Sequence, residues 1–266
     1  MTPSQYLNQY HNLTYTLDDD SERVAHLERY QSGALGLPWA ARVPVLEGIA
    51  RELSSQPGAR RISAWHLPPN FVIDNQALTS MGVMRVFMGK GSPDEIRDVI
   101  RLAHRFGIIT NPARLTPPPN RTVAQYAADF LGLDCNAFVG NYFGMNPETE
   151  IPTYARTRRR RSVQEVRSGD VVISNVLLGN RYRPEHIALT EGFDGDVLTI
   201  VEWGTAGQRH HTARHRVRTQ TDEEGRLYYD YVSQEPAHKD MNGRKYFHAP
   251  PRTPFSRGYV LLPPDV

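Results

Sequence analysis

The chain is poor in the residues from which several protein classes are built. It has one cysteine, Cys135, among 266 residues, which excludes an internal disulfide and a thiolate zinc cluster. No run of about 18 apolar residues occurs, so no membrane-spanning helix is expected. The opening stretch, MTPSQYLNQYHNLTYTLDDD, has neither a basic start nor an apolar h-region, and no secretory signal peptide is expected. Charge of one sign is scarce too. The net charge is only +2, which argues against a surface that binds polyanions as a whole. There is no internal repeat and no low-complexity tract. What remains is a globular composition, 39% apolar and 23% charged, in a chain long enough to bury a substantial core.

The basic residues are unevenly placed. ARTRRRRS (155–162) and RHHTARHRVR (209–218) are local clusters. The plain reading of each is a solvated loop or strand face. The functional reading is attraction to an anionic partner such as a membrane surface or a cell-wall polymer. No nucleic-acid motif or interleaved aromatic accompanies them, so no specific nucleic-acid partner is expected.

Residues 1–115 read as a mainly helical region. DDDSERVAHLERYQ is amphipathic with an acidic start, and WAARVPVLEGIARELSSQ carries helical spacing at Val43, Val45, Leu46, Ile49 and Leu53. GSPDEIRDVIRLAHRFGI is the clearest helix. Ser92 can cap it, Pro93 suits its first turn, Glu95 completes a capping box, and Gly107 fits the stop. NPARLTPPPNRT (111–122) is a proline-rich connector, and TVAQYAADFLG a helix capped by Thr122. From about residue 163 the period becomes strand-like. DVVIS, HIALTE, VLTIVEW, RLYYDYV and RGYVLLP are separated by turn residues. Helices followed by a meander of strands imply an α+β domain with an antiparallel sheet.

Cys135 lies in GLDCNAFVGNYFG, where GLD reads as a turn and CNAFVGNYF as the start of a helix. A buried thiol is usually a small hydrophobe. A thiol at a helix N-terminus, however, is placed where the dipole favours thiolate, and Asp134 is positioned to cap. A reactive cysteine also needs a base, and the base an orienting group. His186 opens a strand after a polar loop, and Glu202 sits among apolar residues in the next one. Taken singly, His186 reads as a structural histidine and Glu202 as a solvent-facing strand residue. The order helix-start Cys, strand His, next-strand acid shifts the reading toward a catalytic set. His211 and His215, four apart, suit a helical ligand pair, but their segment reads as a basic strand or loop without an acidic third ligand. No metal and no cofactor is expected.

Three stretches together resemble the NlpC/P60 and CHAP group of papain-like cysteine peptidases and amidases, over roughly the second half of the chain. LDCNAFV is similar to the nucleophile segment, VQEVRSGDVVIS to the segment ending in Gly-Asp before the first strand, and HIALTEGFDGDVLTIVEW to the histidine strand, turn and third-residue strand. The family's Ser-Gly after the cysteine is Asn136-Ala137 here. The resemblance implies a papain-like domain over 116–266, its antiparallel sheet packed on the nucleophile helix, with 205–256 an elaboration and 1–115 the preceding helical region. It implies Cys135 as nucleophile, His186 as base and Glu202 as orienting residue. Tyr126, Asp134, Asn136 and Trp203 are the expected oxyanion and substrate-binding residues. Cysteine before histidine disfavours the circularly permuted, acyltransferase-like branch.

The leading expectation is a peptidoglycan amidase or endopeptidase that cleaves wall peptides, with peptidoglycan or peptide as partner. An enzyme of that kind without a signal peptide is expected to leave by a non-Sec route, as an antibacterial effector paired with an immunity protein or as a phage-type enzyme. A second expectation keeps the fold but takes protein substrates: a protease, deamidase or transglutaminase. A third is a non-catalytic binding protein on the same scaffold, with Cys135 buried.

Overall fold

In a computed structural model of the chain, residues 1–16, 22–27, 29–31, 39–109, 122–204, 212–234 and 257–265 are described. The connector at 111–121, His211 and most of the remainder of 205–256 outside two strands lie outside them. The chain divides into two compact units. One comprises Met1–Leu7 and Cys135–Val266, the other Asn8–Asp134. The division falls between Asp134 and Cys135. Helix α5 stays with the preceding unit because it packs on β2 and α4.

The Asn8–Asp134 unit mixes helices with two small sheets. Helix α1 (Pro3–His11) enters it, followed by strands β1 (Leu13–Thr16) and β2 (Glu22–Ala25), which pair antiparallel. The helix expected across DDDSERVAHLERYQ is therefore a strand at Glu22–Ala25. Local amphipathicity yields there to ladder hydrogen bonds with β1. Helix α2 spans Trp39–Ser54, and its Val45, Leu46, Ile49 and Leu53 are buried. Strands β3 (Asn70–Ile73) and β4 (Gln76–Thr79) form a hairpin whose two turn residues, Asp74 and Asn75, are both left-handed (φ 52° and 61°), as a type I′ turn requires. Helices α3 (Ser80–Phe87), α4 (Pro93–Arg105) and α5 (Val123–Phe130) follow. Ser92 and Glu95 close a capping box at α4, and Thr122 and Gln125 another at α5.

Among its described residues after Asp134, the other unit is a six-stranded antiparallel barrel with three short helical segments. Helices α6 (Cys135–Tyr142) and α7 (Ile151–Tyr154) and a 3₁₀ turn (Val163–Glu165) precede strands β5 (Val171–Leu178), β6 (Arg181–Asp194), β7 (Val197–Val201), β8 (Thr212–Thr221), β9 (Leu227–Gln234) and β10 (Arg257–Leu261). The first five form a meander. β10 then inserts between β9 and β5 and closes the barrel. Closure leaves no edge strand. Val172, Ala188, Leu198, Ile200, Ala213, Val217, Leu227, Tyr229 and Val260 form one buried cluster. The described part of the second basic cluster, 212–218, lies in β8, where Ala213, His215 and Val217 are buried and Arg214, Arg216 and Arg218 are exposed. Closure also depends on Gly258. A β-carbon there would lie 2.3 Å from the Tyr229 hydroxyl, so only glycine lets β10 approach β9 at this point.

The first basic cluster is a latch on the barrel. Arg160 N donates to Val260 O, Leu227 N to Arg160 O, and Leu262 N to Arg158 O, all at 2.9 Å. The Arg160 guanidinium grips the fully buried Asp170 through two bonds, Nε to Oδ2 at 2.8 Å and Nη2 to Oδ1 at 2.7 Å. Arg159 lies 4.0 Å over the Tyr259 ring.

Candidate active site

Helix α6 begins at Cys135, so the thiol stands on the first residue of the helix. Apolar Phe138 holds that helix in the unit. Its ring lies 5.7 Å from Tyr6 and 6.3 Å from Trp203. Gly140 faces Pro147, where a β-carbon would stand 3.0 Å from Pro147 Cα, and α6 packs on β6. Cys135 is 5% exposed, and its Sγ donates to Asn136 Oδ1 at 3.4 Å.

His186 sits on β6 opposite Ser174 of β5. On the far side of β6, Leu189 pairs with Val201, the last residue of β7. In an antiparallel pair the next residue, Glu202, continues toward the His186 end of β6. Its carboxylate meets the ring there: His186 Nε2 and Glu202 Oε2 are 2.5 Å apart, with both side chains almost fully buried. The Cys135 side chain is among the groups near enough to the ring to raise its pKa. With Nε2 committed to Glu202, Nδ1 is the ring nitrogen available to the thiol. Burial alone would push the His186 pKa down. The Glu202 charge, the Cys135 side chain and the hydrogen bond to Glu202 outweigh it and lift the value to about 10. The ring is therefore biased toward its protonated form. Cys135, Asn136, His186 and Glu202 are thus brought together in one unit, with Trp203 buried beside α6.

The remaining expected residues belong to the Asn8–Asp134 unit. Tyr126 belongs to α5 in the Asn8–Asp134 unit. It is completely buried against Phe130, 5.4 Å between ring centroids, its hydroxyl has no hydrogen-bond partner, and burial raises its pKa. Asp134 ends that same unit, and its carboxylate pairs with Lys90 at 2.5 Å.

One group near the pair was not anticipated in that role. His215 of β8 is buried on the inner face of the barrel, with its ring edge-on to Tyr231 at 4.9 Å. Tyr231 OH bonds Ser174 Oγ at 2.6 Å and lies 3.3 Å from Tyr229 OH. Burial drives the His215 pKa down to about 4, with opposing contributions from Glu202 and His186. It is neutral, and its Nδ1 lacks a hydrogen-bond partner. The signal that could have found it is the alternation in TARHRV, which puts His215 inward between Ala213 and Val217. Among the described residues no three His, Cys, Asp or Glu side chains are placed to hold a metal ion.

No family model, curated protein or solved structure matches this chain. The chemistry of the site therefore rests on its own geometry: a thiol at a helix start, and a buried histidine ring bonded to a buried carboxylate. Among the described residues no helix is long and apolar enough to cross a membrane.

Proposed function

We propose that the chain is a cysteine-dependent amide hydrolase on a papain-like scaffold and that its substrate is peptidoglycan, cleaved as an amidase or endopeptidase. The observation that carries this reading is the buried His186 ring, bonded to Glu202 at 2.5 Å and close enough to the Cys135 side chain for that group to raise its pKa. Three groups in this order supply what acyl transfer needs: a nucleophile, a proton carrier and a group that fixes the carrier's orientation.

The thiolate is the attacking form of cysteine, and in the proposed reaction His186 takes the Cys135 proton and stands as an imidazolium beside it. Attack of Sγ on an amide carbonyl forms the C–S bond and places negative charge on the carbonyl oxygen. The Cys135 backbone N–H, at the start of α6, donates to that oxygen. His186 then gives its proton to the amine nitrogen as the C–N bond breaks, leaving a thioester. The imidazole, now neutral, takes a proton from water, whose oxygen attacks the thioester. The C–S bond breaks, and the acid and the thiolate–imidazolium pair are restored. Throughout, Glu202 holds the ring and stabilises its charged form; it transfers no proton.

The test is mass spectrometry of muropeptides released from purified sacculi by the full-length chain and by Cys135→Ala. New amine and carboxyl termini produced by the first and absent with the second are expected. Identical products from the two would overturn the hydrolase reading. Intact sacculi together with cysteine-dependent cleavage of a protein substrate would move the activity to proteins.

A further inference from the structure

The second half of α2 and the segment 61–65 enclose a trough of about 750 Å³ in the Asn8–Asp134 unit, within the size range of small-ligand sites. Its form follows from the sequence. Ala50, a small residue, leaves the floor low between Glu47 and Arg51 on one helical face. Ser54 Oγ accepts from Ile62 N at 2.8 Å and donates to Ala50 O at 2.7 Å, which fastens the following segment to the helix. That segment carries Trp65 at the rim, 57% exposed, its backbone N–H held by Ser63 Oγ at 3.3 Å. Arg51 and Arg61 line the same trough and are exposed. Neither guanidinium has a hydrogen-bond or ion-pair partner among the described residues.

We propose that this trough is a second binding site, taking a carboxylate-bearing sugar ring of a glycan strand by stacking on Trp65 and ion pairing with Arg51 and Arg61. An indole offers a broad apolar face to the C–H face of a pyranose. Two guanidiniums give the planar donor geometry that a carboxylate accepts. The Glu47 carboxylate accepts from sugar hydroxyls. A glycan strand stripped of its peptides presents a free lactyl carboxylate on each muramic acid ring, which matches one platform flanked by cations. Nucleic acid fits less well, because such grooves stack successive bases on several aromatics within a broadly positive surface. Basic and acidic residues balance between Asn8 and Asp134. The choice of a saccharide rests on the proposed action on peptidoglycan; the pairing of a stacking face with two cations does not.

The experiment is calorimetric titration of the full-length Cys135→Ala chain, so that binding is read without hydrolysis and stands or falls independently of it. The probes are a peptide-free N-acetylglucosamine–N-acetylmuramic acid oligomer, an N-acetylglucosamine oligomer of equal length and a single-stranded DNA oligonucleotide. The muramic oligomer is expected to bind at least tenfold more tightly than the neutral one. Adding Trp65→Ala, a surface change checked by an unaltered thermal midpoint, should weaken it at least tenfold. Arg51→Gln with Arg61→Gln should abolish the preference while leaving the neutral oligomer unaffected. Equal binding of the two oligomers, absence of binding, or an affinity untouched by Trp65→Ala would overturn the proposal. Tighter binding of the DNA, lost in the same variants, would overturn it in favour of a nucleic-acid groove.

Discussion

The two units bury polar groups in different amounts and to different ends. Among the described residues between Asn8 and Asp134 the buried polar or charged side chains are Gln31, Arg42 and Asp134. In the barrel unit they are Asp170, Ser174, Asn175, His186, Thr190, Glu202 and His215. Burying such groups is costly unless each finds a partner. The barrel meets that cost in two ways. Asp170 is gripped by an arginine that cannot lose its proton, and it anchors a loop. Glu202 is paired with a histidine that can change its protonation, and the Cys135 side chain is among the groups that raise that histidine's pKa. The same physics, a buried carboxylate beside a cation, yields a structural clamp in one place and a candidate proton-transfer site in the other. Whether the cation titrates separates them.

The largest effect that would sharpen this contrast is on chemistry. Cys135→Ala and His186→Ala should each lower amide hydrolysis at least about a thousandfold, with Cys135→Ala leaving the thermal midpoint within a few degrees. Residual activity near wild type in either would erase the distinction between clamp and site. At the clamp the outcome should be reversed. Asp170→Asn leaves Arg160 facing a buried neutral group and should destabilise the barrel by about 3 kcal/mol, seen as an earlier thermal or urea transition. The rate per folded molecule should stay near wild type, and a rate loss without a stability loss would merge the two pairs into one.

A smaller change is expected for Glu202→Gln. The amide keeps the shape and one hydrogen bond but loses the charge that steadies the imidazolium, so kcat/KM should fall by about ten- to a hundredfold. A full rate with normal stability would leave a Cys–His dyad. The pH dependence of stability tests the barrel interior, where His186, Glu202 and Tyr231 surround His215. Because folding lowers the His215 pKa to about 4, the unfolded chain binds the extra proton first. Its contribution is complete above pH ~6.5 and is lost as pH falls toward 4, by about 1 kcal/mol per pH unit. His186 has the opposite sign: its raised pKa adds stability that is lost as pH rises from ~6.5 through about 10. Denaturation of wild type and His215→Phe from pH 7 to 4 should show a shallower fall in the variant; parallel curves would mean that His215 does not titrate on unfolding. The smallest effect belongs to the other unit. Ser92→Ala removes the cap of α4 and should cost about 1 kcal/mol, with no change in hydrolysis.

Much of the candidate site could be read along the chain because its signals are local. A turn, a cysteine and a helix-compatible run put Cys135 on the first residue of α6. β-rich runs separated by turn residues put His186 and Glu202 on consecutive strand segments, and the short turn between those strands makes them neighbours. The capping boxes at Ser92 and Thr122 are likewise complete within four residues. Where a local pattern competed with pairing to another segment, as at Glu22–Ala25, the pattern misled.

What the sequence determined by itself was therefore helices α2, α4, α5 and α6, strands β5, β6, β7, β9 and β10, and the order Cys, His, acid, because helix starts, turns and alternation depend on near neighbours and side-chain periods. What only the tertiary structure decided was which residues meet across long separations. β10 closes the barrel against β9 and β5, Arg160 finds Asp170, and Tyr126 is packed inside the other unit. His215 is turned inward beside Glu202, and Ser54 pins the Trp65 segment to α2. Each depends on strand register and on burial against distant side chains, and neither is encoded in the spacing of a single segment.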